Sequence, residues 1–201
     1  MGSVHTIRKS MVIKMRTDIL EYLQKEVYTR CSKPSNEFGM GCYYHIEAVV
    51  KNAELLAEKY GADREVVTIA AWLHDIASVT DYSLYKMHHI HGAKIAGEIL
   101  TQLSYDEAKI PLVQACIMNH RGSVLSEKSS IEELCVADAD AVSHFYSVPS
   151  LLHLAYVGKG MDIESGKMYV KEKLERSFQK MSRESKIYYG QKYQQVMAVL
   201  E

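Results

Sequence analysis

Apolar residues recur at intervals of three and four along nearly the whole chain, and only three prolines interrupt them. That spacing is the period of an α-helix, and no strand-like alternation competes with it, so the sequence is read as all-α. The 201 residues are 47% hydrophobic and 24% charged, enough apolar side chain for one sizeable core, and residues 1–201 are taken as a single domain. The longest apolar stretch, Val66 to Leu73, holds Thr68 and falls far short of the roughly 20 residues a membrane span needs. The N-terminus, MGSVHTIRKS, lacks the apolar run of a signal peptide, so a cytoplasmic location is expected.

Two further features narrow the function. Cys31, Cys42, Cys116 and Cys135 are scattered without a CxxC pair, which argues against a zinc ribbon and a disulfide framework. A net charge of -1 gives no electrostatic reason to expect a nucleic-acid polymer as partner.

The pattern predicts a first helix over about 10–30, broken by CSKPSNEFGMG, and a second from about 42 to 60 with Gly61 as its left-handed cap. Asp63 is then the N-cap of a third helix reaching about Ala77. Further helices are expected near 88–103, 106–120, 130–147 and 149–157, with two longer amphipathic ones near 163–181 and 183–200. Ser129 or Ser130 with Glu132 or Glu133 resembles a capping box before the sixth.

Of nine histidines, several continue apolar stripes. His45 shares a face with Val49, Ala53 and Leu56; His74 closes the stripe of Val66, Ile69, Ala70 and Leu73. His91 lies with Ile95 and Ile99, and His120 with Val113, Cys116 and Ile117. Any one alone reads as a hydrogen-bonded core histidine. Four on four helices, joined by Asp75 and by Asp138 and Asp140 within an apolar helix, read differently, because a buried carboxylate needs a partner or a cation. Imidazoles and carboxylates converging inside a helical bundle suit a divalent transition metal such as Fe or Mn.

The order His45, His74-Asp75, His91, His120, Asp140 resembles the HD superfamily of metal-dependent phosphohydrolases, with the doublet in AAWLHDIAS at the end of an apolar helix. The resemblance covers about residues 40–146. It implies an HD-domain helical bundle, flanked here by the N-terminal helix and by additional C-terminal helices over 149–201. It further implies that His45, His74, Asp75 and the late Asp bind metal, and that Asp75 bridges if two ions are present. Asp140 is taken as the late Asp, because Val142 follows it two positions on; Asp138 is the alternative.

HHIHGAKIAGEIL is similar to the His-Gly segment of bacterial HD-type diadenosine tetraphosphate hydrolases, which implies that His91 and His120 hold a second ion, or contact substrate phosphate if only one ion is bound, although His88, His89 and His91 compete for one role. After the doublet stands Ile76-Ala77-Ser78, without the Glu of the 5'-deoxynucleotidase branch, and the GYP segment of the cyclic-dinucleotide branch is absent. The expected activity is cleavage of a phosphate ester or anhydride in a nucleotide or similar small molecule by a metal-activated water that Asp75 orients or deprotonates. Lys94 and Arg121 are the candidate phosphate contacts. The partner is then a phosphorylated small molecule, with neither nucleic-acid polymer nor membrane, and self-association stays open. The alternative is a catalytically idle HD domain that binds and senses a ligand.

Overall fold

The computed structural model describes residues 15–121 and 128–201. It is helical, with no strand among the described residues. The elements are α1 (Thr17–Cys31), α2 (Gly41–Tyr60), α3 (Arg64–Leu73), a 3₁₀ turn (Tyr82–Met87), α4 (His88–Gln102), α5 (Ile110–Asn119), α6 (Ile131–Tyr146), α7 (Val148–His153) running into a wider π turn (Leu154–Gly158), α8 (Ile163–Lys180) and α9 (Arg183–Val199). The first five residues expected in the first helix, 10–14, lie outside the described residues. No described helix is long and apolar enough to cross a membrane, and all four cysteines are free thiols.

Local chemistry sets the ends of these elements. Gly61 adopts φ 73°, where a side chain would be strained, and closes α2. Asp63 accepts hydrogen bonds from the Glu65 and Val66 amides and starts α3. Ser130 and Glu133 form the capping box of α6, the Ser130 hydroxyl accepting from the Glu133 amide at 3.2 Å. Asp162 and Ser182 cap α8 and α9.

The third and fifth helices are shorter than their patterns suggest. α3 stops at Leu73, and residues 74–80 continue as turns. α5 starts only at Ile110, because Asp106 holds a turn by accepting from the Ala108 amide with its side chain and from the Lys109 amide with its carbonyl. The segment expected at 149–157 begins a residue early and loosens into the π turn.

The core runs through α2, α3, α5 and α6, with Ile46, Leu56, Ile69, Leu73, Ile117 and Phe145 among its fully enclosed side chains. α2 packs mainly on α6, α4 on α5, and α8 on α6. One glycine sets the spacing at the centre. A Cβ on Gly92 would lie 3.3 Å from Ile117 and 3.5 Å from the His74 carbonyl, so the bare backbone lets α4 approach both the end of α3 and the face of α5. Three histidine-bearing segments thereby meet.

Candidate metal centre

The elements deliver one cluster. α2 contributes His45; the end of α3 contributes His74 and, in the following turn, Asp75; α4 begins with His88; His120 ends α5; α6 supplies Asp140 and, one turn later, His144. Three groups of ligand atoms lie mutually within 4.8 Å: His45, His74 and Asp75; His45, Asp140 and His144; and Asp75, His88 and His120. His45 Nε2 stands 3.1 Å from Asp140 Oδ1. Asp75 belongs to two of the groups, facing His74 with one oxygen at 3.5 Å and His88 with the other at 3.4 Å.

His74, His88 and His120 are oriented by one device. Each Nδ1 lies against the carbonyl three residues earlier: Ala71 at 2.8 Å, Tyr85 at 2.8 Å and Ile117 at 2.6 Å. A carbonyl only accepts, so each Nδ1 carries the proton, and a neutral ring then turns an Nε2 lone pair inward. The Nε2 atoms of His88 and His120 are 3.2 Å apart, lone pair against lone pair. His74 Nε2 and His45 Nδ1 are buried without a hydrogen-bond partner. Acceptors facing acceptors beside two carboxylates are unfavourable unless a cation or added protons lie among them, and a divalent metal fits this donor set.

Electrostatics favour the ligand forms. Burial opposes charge on Asp75, yet His74, His88 and His120 outweigh it and hold the carboxyl well below the usual range. At Asp140, Lys180, His144 and His45 likewise overcome burial. Burial, with His74 adding to it, depresses His120 to about 3, and burial and Lys173 push His144 well down, so both rings are neutral. His74 is the exception: burial disfavours its charge, but Asp75 and Asp140 outweigh burial and raise its pKa. A proton there serves the purpose a metal would serve.

Against this geometry, the predicted residues divide. The structure brings together His45, His74, Asp75, His120 and Asp140. It places Asp138 elsewhere, accepting from the Ser182 amide at 2.9 Å and the Ser182 hydroxyl at 2.5 Å. His91 joins none of the groups; His88 stands where His91 was expected. Three residues along a helix is about 4.5 Å of rise, and that step carries His91 past the cluster. Lys94 is exposed, 4.0 Å from Glu98, and lines a separate depression with Gly97, Thr101 and Gln114. Arg121 donates to the Lys86 carbonyl at the 3₁₀ turn, beside the His120 end of the cluster.

Sequence reading missed His144, although its i,i+4 spacing from Asp140 was visible, and two lysines of α8. Lys180 donates to Asp140 and to the His120 carbonyl.

The model of the HD domain matches residues 42–144. The chain belongs to the HD domain family. The matched span opens on α2 and closes on His144, so it encloses every histidine and carboxylate of the cluster and excludes α8 and α9. An uncharacterized protein of Clostridium beijerinckii is 28% identical over 102 aligned residues, 46% of this chain and 65% of that protein. Ribonuclease Y of Enterococcus faecalis is 32% identical over 106 residues, 53% of this chain but 18% of that protein. The chain therefore covers less than two thirds of either relative. No solved structure matches it. HD domains are metal-dependent phosphohydrolases as a superfamily, and the His and Asp groups described here are able to hold a divalent metal.

Proposed function

We propose that this HD domain hydrolyses a phosphate ester or anhydride in a nucleotide or similar small phosphorylated molecule. One observation carries the reading: opposed imidazole lone pairs and carboxylate oxygens share Asp75 between two ligand groups. His45, His74, Asp75 and Asp140 would hold one ion, and Asp75, His88 and His120 a second. A divalent transition metal such as Fe or Mn, when bound, supplies Lewis acidity to a water and to a phosphoryl oxygen.

The chain's own residues do the rest. Asp75 faces both groups, and its side chain is 27% exposed against 9% for Asp140 and none for His74, so it is the carboxylate that water reaches. It orients that water and accepts its proton. The three carbonyl-anchored rings keep their Nε2 atoms directed inward without further ordering cost. Arg121, adjoining His120 in sequence and donating to the Lys86 carbonyl, is the candidate phosphate contact on the side of the cluster, whereas Lys94 lies beside Glu98 on another face. That one relative is named a ribonuclease supports phosphoester cleavage as the reaction class.

The test is elemental analysis of the purified protein together with hydrolysis assays on nucleotides, dinucleoside polyphosphates and simple phosphate esters. The reading expects bound transition metal and a turnover that chelation removes and His74→Ala abolishes. Absence of metal together with no turnover, or turnover that survives His74→Ala, would refute it.

A further inference from the structure

α8 lies outside the span that defines the family, yet its inner face closes over the metal centre. Val170, Leu174 and Ser177 on that face are buried, and Ser177 Oγ meets His144 Nδ1 at 3.1 Å. The same face carries two cations. Lys180 donates to Asp140 and, at 3.3 Å, to the His120 carbonyl, with 10% of its side chain exposed. Lys173, one turn before Ser177 and therefore on the helix face that meets His144, is half-buried. It forms no ion pair among the described residues, although Glu172 and Glu175 are its near neighbours in sequence. A half-buried ammonium without a carboxylate is costly, and here its position is set by a helix that other contacts already fix.

We propose that Lys173 and Lys180 form an anion subsite beside the metal centre that receives a second phosphoryl group, so that the substrate carries a phosphoanhydride chain rather than a lone phosphate. This deepens the hydrolase reading and rests on it. The two lysines are seven residues apart, about 10.5 Å along the helix axis. Their flexible stems can converge on neighbouring phosphates, but a single phosphoryl group held at the histidine cluster leaves Lys173 unmatched. Once cations neutralise Asp75 and Asp140, neither lysine has a protein carboxylate left to satisfy it, and the site as a whole favours a polyanion. Lys is suited to this task as a mobile point charge. Both are substrate-positioning groups; neither is placed to move a proton.

The experiment measures binding, independently of turnover. Orthophosphate and pyrophosphate are titrated against the full chain at one fixed free Mn²⁺ concentration, followed by calorimetry, for wild type, Lys173→Met, Lys180→Met and Lys180→Arg, with bound metal measured for each. The expected result is pyrophosphate binding at least about tenfold tighter than orthophosphate in wild type. Each Met variant should lose about tenfold for pyrophosphate and little for orthophosphate, with metal retained, and Lys180→Arg should recover most of the loss. Equal affinity for the two anions, or a preference that Lys173→Met leaves intact, overturns the subsite. Lys173→Met breaks no hydrogen bond to a residue of the metal centre, unlike Lys180→Met, and keeps the question answerable if Lys180→Met fails to fold. Preference for pyrophosphate without hydrolysis of any phosphate compound would sink the hydrolase reading alone; hydrolysis without preference would sink the subsite alone.

Discussion

Two carboxylates separated by one alanine have different work in α6. Asp140 sits with His45 at 3.1 Å and receives Lys180, whereas Asp138 accepts two hydrogen bonds from Ser182 and so fixes the start of α9. Asp140→Asn should therefore weaken metal binding by about tenfold or more, while Asp138→Asn should leave metal content unchanged and lower the melting temperature. Metal titration and thermal melts on the two variants check the assignment, and the reverse ranking would sink it. The histidines of α4 give a parallel contrast. His88→Ala should remove one metal equivalent, because its Nε2 lies 3.4 Å from Asp75 and 3.2 Å from His120, and His91→Ala should remove none. The family pattern pointed to the carboxylate that lies beside His45, Asp140 rather than Asp138, but not to which of His88, His89 and His91 joins the cluster. All three lie within four residues, and only the 3₁₀ turn before α4, with Tyr85 offering its carbonyl to His88, selects one.

At the scale of elements, periodicity placed every described α-helix but overran the end of α3 and the start of α5. The apolar run continues through Ile76 and Ala77, both fully buried, so burial alone does not mark the end of the helix. What ends it is a switch to tighter turns: His74 keeps helical dihedrals as the cap, and the Ile76 N–H then donates only three residues back, to the Leu73 carbonyl at 3.1 Å. The start of α3 was legible, and it carries a pH signature. Burial raises the pKa of Asp63, but Lys109, at 2.8 Å, and the Val66 and Glu65 amides outweigh it and hold the carboxyl below its ordinary value. A depressed folded-state value means the contribution is complete above the unfolded carboxylate's pKa, roughly 4, and is lost as pH falls through the folded one. Asp63→Ala should cost about 1 kcal/mol at neutral pH, as lost caps do. Asp63→Asn keeps an acceptor and should instead flatten the loss of melting temperature between neutral and acid pH. An unchanged acid slope in Asp63→Asn would refute the role of the charge.

Across the whole molecule, the HD core and its C-terminal helices share responsibility for one set of charges. The amphipathic pattern announced α8, but nothing in its sequence said that Lys180 would reach back to Asp140, 40 residues earlier, because that pairing depends on how α8 packs on α6. In the metal-free protein Lys180 is the cation that satisfies a carboxylate 9% exposed. Removing one partner of such a buried pair costs on the order of 3–5 kcal/mol. A bound metal would satisfy Asp140 as well, so the two cations are partly redundant for stability. Metal at 100 times its dissociation constant should itself stabilise the wild-type fold by about 2.7 kcal/mol, or roughly 5–10 °C for a chain of this size. Lys180→Met should consequently lose far more melting temperature after chelation than with Mn²⁺ bound. Melts of wild type and Lys180→Met, each with and without metal, form a cycle that isolates the coupling. Equal losses in the two states would mean that the lysine and the metal do not compete for Asp140.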